Sequence, residues 1–106
     1  MVAAKIVGSA IEANRAAAIQ ESVTEAMEGF TGALKFVVLD FGDVNFVNSS
    51  AVATLLTLAG AVTQRGAVPI IYRPTENVAG TLKLVKADRW YALLHTVDEL
   101  ANVLAE

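Results

Sequence analysis

Residues 39–66 read LDFGDVNFVNSSAVATLLTLAGAVTQRG. An apolar run ends in Asp40, a short loop follows, and Asn48-Ser49-Ser50 opens a pattern of period three and four that closes at Gly66. Val52, Leu55, Leu56, Ala59 and Val62 fall on one side of that pattern, which predicts a helix from Asn48 to about Arg65 with those residues on its buried face. Gly66 is the stop that glycine commonly supplies just past a helix. The question set by this stretch is why an amide and two hydroxyls stand where a strand hands over to a helix.

The residues just upstream give the strand. Leu34 to Asp40, LKFVVLD, is almost continuously apolar and rich in valine. A strand covered on both faces reads this way, as inner strands do in sheets with helices attached. Downstream, Ala67 to Tyr72 is a second strand. Pro69 lies inside it and has no N–H to give a ladder, so that position is expected at a sheet edge or a strand end.

Working outward, VAAKIVG at the N-terminus predicts a short strand broken by Gly8-Ser9, and Ala13 to Glu28 predicts a helix buried through Ala16, Ile19, Val23 and Ala26 or Met27. Arg73-Pro74-Thr75 makes a turn, and Thr75 can cap a third helix with Val78, Leu82 and Val85 on its inner face. Trp90 to Leu94 gives a last short extended piece. Thr96 and Glu99 have the spacing of a capping box, opening a final helix that buries Val97, Leu100, Ala101 and Leu104. The order is β-α-β-α-β-α, then a short strand and a last helix. Such alternation predicts a single α/β domain over residues 1–106, with a small, mostly parallel sheet and about four helices.

Composition narrows the function classes. The chain has 106 residues, 55% hydrophobic and 18% charged, enough for one core and too apolar for disorder. The apolar bias also suggests surface covered by a partner. The formal net charge is −3 with scattered basic residues, so no basic stripe follows a phosphate backbone and nucleic-acid binding is not expected. There is no cysteine, which excludes disulfides, thiolate catalysis and cysteine-ligated zinc. No secretory signal is read at the N-terminus, and no apolar run approaches the roughly 20 residues of a membrane span. The expectation is a cytoplasmic protein without membrane insertion.

Catalytic and metal-binding constellations are missing from the pattern. His95 is the only histidine and reads as structural or surface. Asp40 and Asp43 are separated by a loop, and Asp43 is better placed to stabilise the FGDV turn. The glycines terminate elements and form no phosphate loop. Trp90-Tyr91 reads as core or rim packing. No cofactor or metal is expected, and the protein is not expected to be an enzyme.

Asn48-Ser49-Ser50 then stands out. Asn48 alone can cap the helix, its side-chain oxygen accepting an N–H of the first turn. Ser49 would then sit where free N–H groups and the positive dipole end favour an anion. A phosphate there would add nearly two negative charges at a place the helix tolerates, while altering the surface that a docked partner meets.

These residues resemble the STAS domain, the family shared by sulfate transporters and anti-sigma factor antagonists. Asp40, Phe46, Ser49, Ser50, Arg65 and Gly66 match in order its pattern of an apolar strand ending in Asp, a loop with Phe-hydrophobic-Asp-Ser-Ser-Gly, an amphipathic helix and Arg-Gly. The likeness is strong over about residues 34–106 and looser before them. It implies a non-enzymatic regulatory domain whose partner, an anti-sigma factor with serine kinase activity or a related protein, phosphorylates the first serine of the motif. By position that is Ser49, with Asp43, Asn45, Asn48, Ser49 and Ser50 as the partner-binding surface. Two positions depart from the pattern: the family Asp is Asn48, which keeps the cap and removes a carboxylate, and the family Gly is Ala51. Asn48 favours a second expectation, a constitutive scaffold or subunit of a larger signalling or lipid-transport complex. A third is a small-molecule site in the strand-end crevice, for which no convergent polar set is read. Family members usually carry a further N-terminal edge strand, whereas one short strand is read before the first helix here. An open edge and an apolar composition leave a homodimer or larger assembly as a further mode of association.

Overall fold

The computed structural model describes residues 1–105. Among them the chain runs β1 (Val2–Lys5), β2 (Ala10–Ile11), α1 (Ala13–Glu28), β3 (Phe36–Asp40), β4 (Phe46–Val47), α2 (Ser49–Gln64), β5 (Val68–Tyr72), α3 (Glu76–Leu84), a 3₁₀ turn at Ala87–Arg89, β6 (Ala92–Leu94) and α4 (Val97–Leu104). The main sheet has the order β1-β3-β5-β6 with every pair parallel. Each connection passes through a helix to the neighbouring strand, so the strand order repeats the order of the chain. This is the small parallel α/β sheet with four α-helices that the alternation predicts.

Packing follows from the pleat. Val37, Leu39 and Ile71 join α1 (Ala16, Ile19, Val23, Met27), α2 (Leu55, Leu58, Val62) and α3 (Val78, Leu82) in one core. Val38 and Ile70 are equally buried but lie outside that cluster, because successive residues of a strand point to opposite faces. On this second face Leu100 of α4 lines a shallow groove with Ala3, Val38 and Tyr72. β3 is therefore covered on both sides, as its valine-rich run predicts. Each fully buried Leu or Ile contributes about 1.5–3 kcal/mol relative to an exposed one.

Several expectations are revised. Two strands, not one, precede α1: β1 ends at Lys5, and β2 follows the Gly8 turn. β2 pairs with β4, which lies within the stretch read as a loop, in a separate two-stranded parallel sheet with Ala10 opposite Phe46 and Ile11 opposite Val47. Strands of two residues are too short to show a period. Pro69 belongs to an inner strand and is paired in register with Val37. The Val68 N–H donates to Lys35 O on the β3 side, and the Arg73 N–H donates to Leu94 O on the β6 side. Alternation turns the nitrogen of residue 69 towards β6, which begins only opposite Ile70. The missing donor thus faces a strand end, as expected.

α4 forms with its capping box, but none of its residues is fully buried, and Val97 is 65% exposed. One short amphipathic helix lies over this face of the sheet, so Leu100 and Leu104 are only half covered. On α3, Val85 is the C-cap rather than a core residue. On α1, Met27 rather than Ala26 faces inward. On α2, Leu58 is buried and Leu56 only half-buried.

Candidate functional site

The start of α2 is built by Asn48. Its backbone is extended, with φ −83° and ψ 170°, and its Oδ1 accepts the Ala51 N–H at 2.8 Å. The first intrahelical bond runs from the Val52 N–H to Asn48 O at 3.0 Å. The N–H groups of Ser49 and Ser50 precede any helical acceptor. Both serines are exposed and Asn48 is half-buried. The first turn carries no acidic side chain, so the positive end of the helix dipole is not neutralised by its own sequence. From Ser49 to Gln64 the helix SSAVATLLTLAGAVTQ contains no charged residue at all.

The loop leading to this turn is held at several points. The Asn45 and Phe46 N–H groups both donate to Ser9 O, at 2.7 and 3.1 Å. Asn45 O accepts from Asn77 Nδ2 at 2.7 Å, and Val44 O accepts from Thr75 Oγ1 at 3.1 Å. Thr75 also caps α3 by accepting the Val78 N–H at 3.3 Å. The loop between β3 and α2 is therefore fastened both to the turn before β2 and to the start of α3. The short β2–β4 pairing buries Val47 and turns Phe46 outward, 49% exposed, two residues before the cap.

Behind the loop, Arg73 bridges the carboxyl ends of β3 and β5. Its Nε and Nη2 donate to Asp40 Oδ1 at 3.2 and 3.1 Å, and Nη2 donates to Oδ2 at 2.9 Å. The Asp40 Oδ1 also accepts the Gly42 N–H at 2.9 Å. Burial raises the Asp40 carboxyl, but the hydrogen bonds from Arg73 and Gly42, with the charges of Arg73 and Lys5, outweigh it and hold the group below its ordinary 3.8. Gly42 makes the bridge possible, because a Cβ there would lie 2.6 Å from Arg73 Nη2. Arg73 itself adopts a left-handed backbone, φ 56°.

The residues proposed from sequence thus converge in part. Asn48, Ser49 and Ser50 form the helix tip, and Asn45 is anchored in the loop beside it through its backbone. Asp43 is exposed and pairs with Lys5 at 3.7 Å. It does not hold the FGDV turn; Asp40 does, through the Gly42 N–H. His95 is exposed, and its N–H donates to Glu99 Oε1 at 3.2 Å in the cap of α4. Trp90 is exposed, whereas Tyr91 is buried and donates its hydroxyl to Leu55 O at 2.6 Å. Burial pushes that hydroxyl's pKa up. Two residues escaped the sequence reading of the site. Phe46 is read from sequence only as a position of the family pattern, with no part in the partner-binding surface. The 33-residue separation of Arg73 from Asp40 leaves no local signal. Among the described residues no group of three or more His, Cys, Asp or Glu could hold a metal ion, and no helix is long and apolar enough to cross a membrane.

A family model described as the STAS domain matches residues 6–100. A crystal structure from Thermotoga maritima, of a protein regarded as an anti-sigma factor antagonist, superposes with a TM-score of 0.78 at 16% identity, covering 98% of this chain and 88% of that one. An NMR structure of the same Thermotoga protein gives 0.74 at 16% identity, with 94% and 79% covered. A sulfate transporter family protein from Wolinella succinogenes gives 0.72 at 11% identity, with 92% and 79% covered. At these identities the likeness is one of fold. No curated protein matches the sequence.

Proposed function

This chain belongs to the STAS domain family, and from that premise we propose that it is a non-enzymatic, cytoplasmic regulatory module of the anti-sigma factor antagonist type, switched by phosphorylation of Ser49. Its partner is an anti-sigma factor with serine kinase activity or a related regulatory protein. The docking surface comprises Asp43, Asn45, Asn48, Ser49 and Ser50, with Phe46 as its apolar centre.

One observation carries this reading: an exposed hydroxyl at the first position of a capped helix whose first turn has no carboxylate. Unphosphorylated, the tip offers an uncharged surface in which Phe46 can be buried by a partner, and charged residues are depleted from the centres of protein interfaces. Phosphorylated, it carries nearly two negative charges. The α2 dipole and the N–H groups of Ser49 and Ser50 stabilise them within the domain, so the fold survives while the docked partner meets an uncompensated charge.

The test is direct. Mass spectrometry of the protein isolated from its own cells finds one phosphate, on Ser49, and Ser49→Asp loses the partner that the unmodified protein captures. Absence of phosphate from Ser49 together with normal capture by Ser49→Asp overturns the switch. The second reading, a constitutive scaffold, is favoured by Asn48 standing where the family has Asp. It expects partner capture that phosphatase treatment leaves unchanged.

A further inference from the structure

We propose that the open edge of β1, together with α1 beside it, is the interface of a symmetric homodimer. This inference stands independently of the Ser49 reading.

Among the described residues β1 ends the main sheet and pairs with β3 alone. The Ile6 N–H donates to Asp40 O at 3.0 Å. Alternation then turns the backbone groups of Val2, Ala4 and Ile6 towards β3, and those of Ala3 and Lys5 outward, where they lack a strand to pair with. Lys5, the one charged side chain of β1, is engaged by Asp43 at 3.7 Å.

Between this edge and α1 runs a groove of about 260 Å³. Ala4, Ile6, Ile19 and Val23 supply its apolar lining, and Arg15, Ala18 and Ser22 line it from the helix. The Arg15 guanidinium lies over Gly8, where an added Cβ would come within 2.9 Å of Nη1. Neither Arg15 nor Glu25 forms an ion pair among the described residues.

The order of side chains along the outer part of α1 identifies the occupant. Arg15, Ala18, Ser22 and Glu25 read cation, small, small, anion, with the exposed Glu21 flanking the stripe on the side away from the groove. An isologous contact places the same patch of both subunits face to face. With the two copies of α1 antiparallel about a dyad near Gln20, Arg15 meets the second copy's Glu25, Ala18 meets Ser22, and the dyad repeats the ion pair, two in all. The groove sets the carboxyl end of β1 and the residues just after it, Ala4 to Val7, beside the middle of α1, so one dyad serves the strand edge and the helix stripe together. A chain with a different charge order would leave Arg15 or Glu25 facing its own sign.

Sedimentation velocity and light scattering on the full chain across a concentration series test this. The wild type is expected to show a concentration-dependent dimer. Arg15→Glu and Glu25→Arg each weaken it by at least about tenfold, since like charges are brought together at both ends of the contact. The double variant returns to within about threefold of wild type, the coupling that a double-mutant cycle reads. Ala3→Pro removes one outward N–H without touching the β1–β3 ladder and also weakens the dimer. Circular dichroism verifies that each variant is folded; both charged positions are exposed. A wild type that stays monomeric up to about 1 mM, or folded single variants that dimerise as well as wild type, overturns the proposal. So does a double variant no better than the singles.

Discussion

At the start of α4, Thr96 Oγ1 accepts the Glu99 N–H at 3.1 Å, and the Glu99 carboxylate accepts the Thr96 N–H at 3.2 Å. Asp98 and Glu99 place two carboxylates in that first turn. At the start of α2, Asn48 also captures an N–H, but no carboxylate follows. Both ends satisfy hydrogen bonds; only one neutralises its dipole. The pair teaches that capping by itself does not set the charge of a helix tip. What distinguishes α2 is an electrostatic vacancy next to an exposed hydroxyl, held in place by the loop bonds to Ser9, Thr75 and Asn77.

The comparison can be broken most decisively by moving the charge. Ser49→Asp is expected to weaken partner binding at least about 100-fold, of the order reported for charges set against a buried interface. Val97→Asp, at the equivalent first position of α4, should leave binding unchanged, as measured by calorimetry with the captured partner. Equal losses would mean that α2 has no special standing.

Next in size is the loss of each cap. Asn48→Ala should lower stability by about 1–2 kcal/mol in urea titrations, since α2 packs across the core. Thr96→Ala should cost less, about 0.5–1 kcal/mol, and much of it should appear as faster amide exchange confined to α4, which buries no residue fully. A smaller effect has the opposite sign. Ser49→Asp should stabilise the isolated domain by about 0.3–1 kcal/mol. Val97→Asp should do little, because two acids already occupy that turn.

The smallest expected effect lies behind the site. The folded Asp40 carboxyl sits below its ordinary value, so its contribution is present above the unfolded value and is lost as pH falls through the folded one. Asp40→Asn should therefore lower the urea midpoint at neutral pH and converge with wild type in acid. A constant difference at all pH values would locate the effect in packing instead.

How much of this was legible in the sequence varies with the range of the forces involved. The alternation of elements, the caps at Asn48, Thr75 and Thr96, and the β3 core are local patterns, and they appear as read. The Asn48-Ser49-Ser50 tip was legible because one amide and two hydroxyls interrupt an apolar register. The β2–β4 pairing was not, since two residues carry no period. Nor was the Asp40–Arg73 bridge, because Gly42 looks like any loop glycine until the guanidinium above it is seen. The inner face of α4 was overestimated because its amphipathic pattern is real, while the sheet beneath it covers only part of that face.

The absence of any ionised side chain along the sixteen residues of α2 has a consequence for how a signal there is read. Under the proposed switch, phosphorylation of Ser49 takes the helix from no formal charge to nearly two negative ones, with no neighbouring lysine along it to mask them and no glutamate to dilute them. The contrast between the two states is then nearly all-or-none, and a receptor protein needs no fine discrimination to tell them apart.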